Sequence, residues 1–261
     1  MRSDQPTQPP PATDTPSLWL HPVRESGDPA VGRLVFFPPA GSSASMGWTL
    51  REAVPEEWSV SSVQYPGRGP RLREPLADSV REMAEACLPD VDDGTDRPLL
   101  LLGHSFGAYL AYDVAQLLER RHRPATGLLV SGMPAPGTAL RTMSPEELSD
   151  AALIDSLGRQ GVTDPELLAN EELMQMVLPV LRADLALARG FTDDHGRRLA
   201  TAVLALGGRE DPLVTSRQLA AWREVTEHWL GVELVPGDHF SYLREPDLLP
   251  GILERHGVLT C

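Results

Sequence analysis

The sequence contains no lysine: all 23 basic residues are arginine, set against 37 acidic residues for a net charge of −14. Asparagine occurs once, at Asn170, and isoleucine twice, at Ile154 and Ile252. The scarce residues share AT-rich codons, so their rarity points to a GC-rich bacterial genome and not to mechanism. The negative charge excludes a nucleic-acid partner, for which neutralising phosphates is the first requirement. Cysteine is limited to Cys87, in a predicted helix, and Cys261, the last residue. Neither has a partner at disulfide or metal-ligand spacing, which predicts a reducing, cytoplasmic setting and no metal site. No apolar run approaches the roughly 18 residues a membrane span requires, and no basic-then-apolar leader opens the chain. Residues 1–17 are instead polar and proline-rich. They read as a disordered tail ahead of one domain, residues 18–261, of a size that buries a substantial core.

Short apolar runs are present and regularly placed. They lie at Leu34 to Phe37, Leu99 to Leu102, Gly127 to Val130, Ala202 to Leu206 and Val232 to Val235, with a weaker one at Val60 to Val63. Such runs are too short for helices and suit strands of a parallel sheet buried on both faces. Helical patterns, including Phe106 to Arg121 and Ser216 to Val225, fall between them. The alternation predicts a doubly wound α/β domain, its mostly parallel sheet flanked by helices. It breaks between about Arg141 and Gly190, where helices follow one another with no strand. There Ser144-Pro145-Glu146-Glu147 reads as a capping box with proline at the first helical position. Asp164-Pro165 reads as a second helix start, and Pro179 as a kink or division in a third helix. An all-helical insertion of this kind is either a lid over the sheet or a plain helical layer. Met174, Met176 and Leu178 suit an ordinary core or an adaptable acyl pocket equally well.

The segment LLLLGHSFGAYLAYDVAQLL, residues 99–118, joins an apolar strand to a helical pattern through Gly103-His104-Ser105-Phe106-Gly107. A serine on such a turn is held in a strained conformation that lifts its Oγ above the sheet, while the glycines let strand and helix pass closely. The helix behind it aims its positive end at the place where an oxyanion forms. Serine needs a base to become a nucleophile, and seven histidines compete for that role. His239 alone directly follows a late strand, in VELVPGDHFSYL, at the strand end where sites of such sheets gather. Asp211, in LGGREDPLV, also follows a strand and is the candidate to orient His239. Glu210 is its neighbouring rival, and Asp238 is too close to His239 along the chain to turn toward it. The order Ser105, Asp211, His239 is that of the α/β-hydrolase fold. Two backbone N–H groups would complete an oxyanion hole: Phe106, after the nucleophile, and Ala40, in the small-residue loop of LVFFPPAGSSAS (residues 34–45).

FFPPAGSSAS, VQYPGRGPRLREPL (63–76), LLGHSFGA, LVSGMPAP (129–136), LGGREDPLV and PGDHF, in this order and spacing, resemble the type II, or editing, thioesterases of polyketide and nonribosomal peptide biosynthesis. The resemblance covers residues 18–257. It implies an α/β-hydrolase fold, in which the helical insertion over about 141–190 stands as the candidate lid. It also implies a Ser-Asp-His triad that clears aberrant or stalled acyl groups from the phosphopantetheine arm of acyl-carrier or peptidyl-carrier proteins, without metal or bound cofactor. One departure stands out. The family's oxyanion segment commonly reads Pro-aromatic/His-Ala-Gly-Gly, whereas this chain has Pro39 and Ser42 at the corresponding places. Arg68, Arg71 and Arg73 form a basic cluster in PGRGPRLRE, suited to the phosphate of the arm or to an acidic carrier surface, or, for Arg68, to holding local structure. The same fold and triad also admit a carboxylesterase acting on small oxygen esters, and a protein that binds carriers without hydrolysis.

Overall fold

A computed structural model describes residues 17–27, 30–138, 140, 143–144, 146–160 and 165–259. The tail through residue 16, Arg141, Pro145, Asp164 and Cys261 lie outside the described residues.

Seven strands form one sheet: β1 (Leu20–Arg24), β2 (Gly32–Phe37), β3 (Trp58–Val63), β4 (Leu99–His104), β5 (Gly127–Ser131), β6 (Ala202–Gly208) and β7 (Trp229–Val235). Their spatial order is β1-β3-β2-β4-β5-β6-β7, and all neighbours are parallel except β1 and β3. Every apolar run singled out above is a strand. The antiparallel edge strand β1 carries no such run, because its sequence LHPVR buries only Val23 fully.

Successive strand residues point to opposite faces, and the core divides accordingly. On one face Val35, Phe37, Leu101, Leu128, Val130 and Val203 pack under α1 (Val80–Val91) and α2 (Phe106–Arg120). On the other, Leu34, Phe36, Leu100, Leu102 and Leu204 pack under α8 (Leu248–Arg255) with Leu249, Ile252 and Leu253. Each fully buried leucine or phenylalanine here contributes about 1.5–3 kcal/mol relative to exposure.

Between β5 and β6 the chain forms α3 (Asp150–Gln160), α4 (Pro165–Leu168) and α5 (Glu171–Gly190). The reciprocal bonds of the expected capping box are made: Ser144 N–H donates to Glu147 Oε2 at 2.8 Å, and Glu147 N–H to Ser144 Oγ at 3.3 Å. They close a single turn, and the helix proper begins later, where the Ala152 N–H donates to Ser149 Oγ. Pro165 does open a helix. Pro179 does not divide one: α5 runs 20 residues through it, started by the Asn170 side chain accepting from the Leu173 N–H. The insertion has its own small core of Leu153, Met174, Leu178 and Leu181. On the C-terminal side of the insertion, α6 (Ser216–Ala220) runs on as a 3-10 turn to Val225, and the short α7 (Ser241–Arg244) follows β7.

Candidate active site

The C-terminal ends of β2, β4, β6 and β7 bring four sequence-predicted positions to one place. Ser105 sits between β4 and α2 with φ 51° and ψ −126°, a region that L-residues rarely occupy. Two contacts hold it there: its N–H donates to Ser131 O at 2.7 Å, and its carbonyl accepts from Ala108 N–H at 2.8 Å. The flanking glycines are needed for space. A Cβ on Gly103 would strike the Gly107 carbonyl and the Ala108 backbone, and one on Gly107 would strike the carbonyls of Phe37 and Pro38.

His239, in the loop after β7, places its Nδ1 2.8 Å from Asp211 Oδ2. Both side chains are buried. The other Asp211 oxygen accepts from the N–H groups of Leu213 (2.7 Å) and Val214 (3.2 Å), which fixes the carboxylate. With Nδ1–H committed to Asp211, Nε2 is the nitrogen left to accept a proton. The rivals are occupied elsewhere. Glu210 Oε2 accepts from Gly237 N–H, and Asp238 accepts from Phe240 N–H and pairs with Arg244. Gly132, after β5, forms a wall against the imidazole: a Cβ there would lie 2.7 Å from His239 Cε1.

Ser105 and His239 line one cavity of about 300 Å³, together with Pro39, Ala40, Met133 and Phe240. The Ala40 N–H donates to no group among the described residues. Phe106 is the first residue of α2, so its N–H is an orphan donor of a helix N-terminus. Met143, Leu153, Leu157, Leu181 and Leu185 of the insertion supply the apolar side of the cavity.

Two expectations are corrected. Met176 is 49% exposed and Met174 is packed inside the insertion, so neither lines the cavity. The reason is helical phase: Met174, Leu178 and Leu181 follow i, i+4, i+7 on one face, and Met176 falls on the opposite one. Arg68 is buried in an ion pair with Asp184 of α5, its Nη1 at 2.5 Å and Nη2 at 2.9 Å from the two carboxylate oxygens. Arg71 pairs with Glu74, so neither arginine is free for a phosphate. The structure also places His104 against the site. Its fully buried ring stacks at a tilt on His239, centroids 4.8 Å apart, with Phe240 and Tyr242 edge-on. Burial, reinforced by the nearby His239, pushes the His104 pKa well below the ordinary histidine value. A histidine at a strand end carries no sequence signal for such a contact.

The thioesterase-domain family model matches residues 32–257. The chain belongs to the thioesterase family. This thioesterase is 36% identical over 231 residues to thioesterase PikA5 of Streptomyces venezuelae, covering 87% of this chain and 81% of PikA5. Among solved structures it is similar to the type II thioesterase BorB of the borrelidin biosynthetic cluster, with a TM-score of 0.81 and 32% identity, covering 94% of this chain and 99% of BorB. YbtT, a type II thioesterase of the yersiniabactin pathway, gives 0.80 and 29%, covering 92% and 98%. The thioesterase has no helix among its described residues long and apolar enough to cross a membrane.

Proposed function

We propose that the chain hydrolyses acyl thioesters held on the phosphopantetheine arm of acyl-carrier or peptidyl-carrier proteins, removing aberrant or stalled acyl groups in polyketide or nonribosomal peptide biosynthesis. The observation that carries the reading is the Asp211–His239 hydrogen bond on the wall of the cavity that Ser105 also lines. Likeness to the type II thioesterases supports the choice of a thioester over an oxygen ester.

In this mechanism His239 Nε2 takes the Ser105 proton as Oγ attacks the thioester carbonyl, and Asp211 stabilises the imidazolium. The N–H groups of Ala40 and Phe106 hold the tetrahedral oxyanion. The leaving sulfur takes that proton from His239 and departs as the thiol, its ordinary pKa of about 8.5 making protonation less critical than for an amine. Water, deprotonated by His239, then attacks the acyl-enzyme and releases the acid. The helical insertion acts as a lid, and acyl preference resides with Leu153, Leu157, Leu181 and Leu185, which face the chain to be held. A cytoplasmic site of action belongs to the same reading and rests on the two-cysteine composition.

The test is release of acyl groups from a panel of acylated carrier proteins, beside hydrolysis of small oxygen esters. Wild-type protein should favour the carrier-bound thioesters, and Ser105→Ala should lose about 10⁵–10⁶ of the turnover together with labelling by a fluorophosphonate. Faster turnover of free oxygen esters would overturn the substrate, and normal labelling of Ser105→Ala would overturn the nucleophile.

A further inference from the structure

Three segments distant in sequence meet beside the cavity: residues 38–44 after β2, residues 64–71 after β3, and α5 of the insertion. The Tyr65 hydroxyl donates to Pro38 O at 2.9 Å, and the Gln64 side-chain oxygen accepts from Ala44 N–H at 3.1 Å. Between these two anchors, Asp184 Oδ2 accepts from the Gly41 N–H at 2.8 Å. Gly41 has φ +75°, and a Cβ there would lie 3.1 Å from the Leu181 Cβ, so the loop lies directly against α5. The Pro39 carbonyl accepts from Ser42 N–H at 3.2 Å. That carbonyl shares a peptide plane with the Ala40 N–H, so the turn from Pro39 to Ser42 sets the direction in which Ala40 donates.

Asp184 is 2% exposed, and Arg68 meets both of its oxygens. Arg68 is itself held by donating from Nε to Pro66 O at 3.1 Å and by lying over the Tyr65 ring. A buried carboxylate is costly unless it is paired. A bare one next to a forming oxyanion would also repel it. The guanidinium removes both objections and leaves the carboxylate free to act as an acceptor for Gly41.

We propose that Asp184 is a positioning residue for hydrolysis: from the insertion helix it holds the Gly41 N–H, and through that turn aims the Ala40 N–H at the oxyanion, with Arg68 cancelling its charge. The inference rests on the reading of Ala40 as an oxyanion donor. It makes the hole depend on where α5 stands.

Two charge-free pairs isolate the acceptor from the ion pair. Arg68→Met with Asp184→Asn keeps an oxygen for Gly41; Arg68→Met with Asp184→Leu removes it. Replacing a buried ion pair by neutral groups of similar size is compatible with folding, and urea unfolding checks it for each pair. Should the leucine pair fail to fold, Arg68→Met with Asp184→Ala supplies the same contrast. On the decanoyl thioester of N-acetylcysteamine, the leucine pair should show a kcat about 10–100-fold below the asparagine pair, with KM within about twofold, as expected for a misaimed oxyanion donor. Equal kcat in the two folded pairs, or a difference confined to KM, would overturn the inference. Fluorophosphonate labelling separates the two levels. If Ser105→Ala labels like wild type, Ser105 is not the nucleophile and the reading of Ala40 as its oxyanion donor fails whatever the pairs do. If wild type labels through Ser105 and the pairs turn over alike, only the role of Asp184 fails.

Discussion

His239 stands 2.8 Å from Asp211, and His195 stands 2.5 Å from Asp113. Both histidines are buried, and both carboxylates are taken from water. The surroundings differ. His239 lines a cavity that Ser105 shares, and among the described residues its carboxylate is otherwise held only by backbone N–H groups. The His195 pair is wedged between α1, α2 and the loop after α5, where Arg81 reaches Asp113 at 2.7 Å and 3.0 Å. Burial opposes ionisation of Asp113, but the hydrogen bonds from His195 and Arg81 outweigh it and hold its carboxyl below the usual range. An aspartate–histidine couple is therefore not a site in itself. Its carboxylate must have charge to spare for an imidazolium, and its second nitrogen must face a place where substrate can lie.

Neutralising each aspartate in turn separates the two pairs. Asp211→Asn should lower kcat by about 10⁴, because the imidazole loses its orienting acceptor. Asp113→Asn should leave kcat within about threefold but lower unfolding free energy by about 1–3 kcal/mol, the cost of buried partners left poorly satisfied. Steady-state kinetics and urea midpoints on the two variants decide it; a reversed ranking of their kcat losses would show the wrong pair has been assigned.

A smaller effect concerns His104, which packs on His239. Its folded pKa is depressed by burial and by His239, whereas the unfolded chain takes up a proton near the ordinary value of about 6.5. Below that pH the unfolded state binds more protons, so stability falls as pH drops, by up to about 1.4 kcal/mol per unit from this group, until the folded value is reached. His104→Gln removes that contribution. Its urea midpoint should decline less between pH 7 and 5 than that of wild type, and parallel declines would mean His104 titrates normally in the fold.

The two regions also differ in how far they could be read from the sequence. Strands buried on both faces announce themselves as apolar runs, and the Ser105 turn has a glycine pattern imposed by backbone contact. Asp211 and His239 were legible by standing just past strands. β1 escaped because an edge strand buries one face and LHPVR has no run. The Asp184–Arg68 pair spans 116 residues, and nothing local in either segment marks the other as its partner. Composition puts Met176 in a core or an acyl pocket, whereas the phase of α5 turns it to solvent. His195 carried no signal at all, since a loop histidine becomes buried only through the tertiary approach of Asp113.

The φ of 51° at Ser105 has a consequence for the durability of the fold. A non-glycine residue in such a region costs about 1–3 kcal/mol, so the serine proposed as the nucleophile also loosens the fold. Ser105→Gly relieves that backbone and gives back about 0.4–1 kcal/mol through the greater freedom of the unfolded chain. The inert variant should thus outlast the working enzyme, with a urea midpoint raised by a net stabilisation of about 1 kcal/mol.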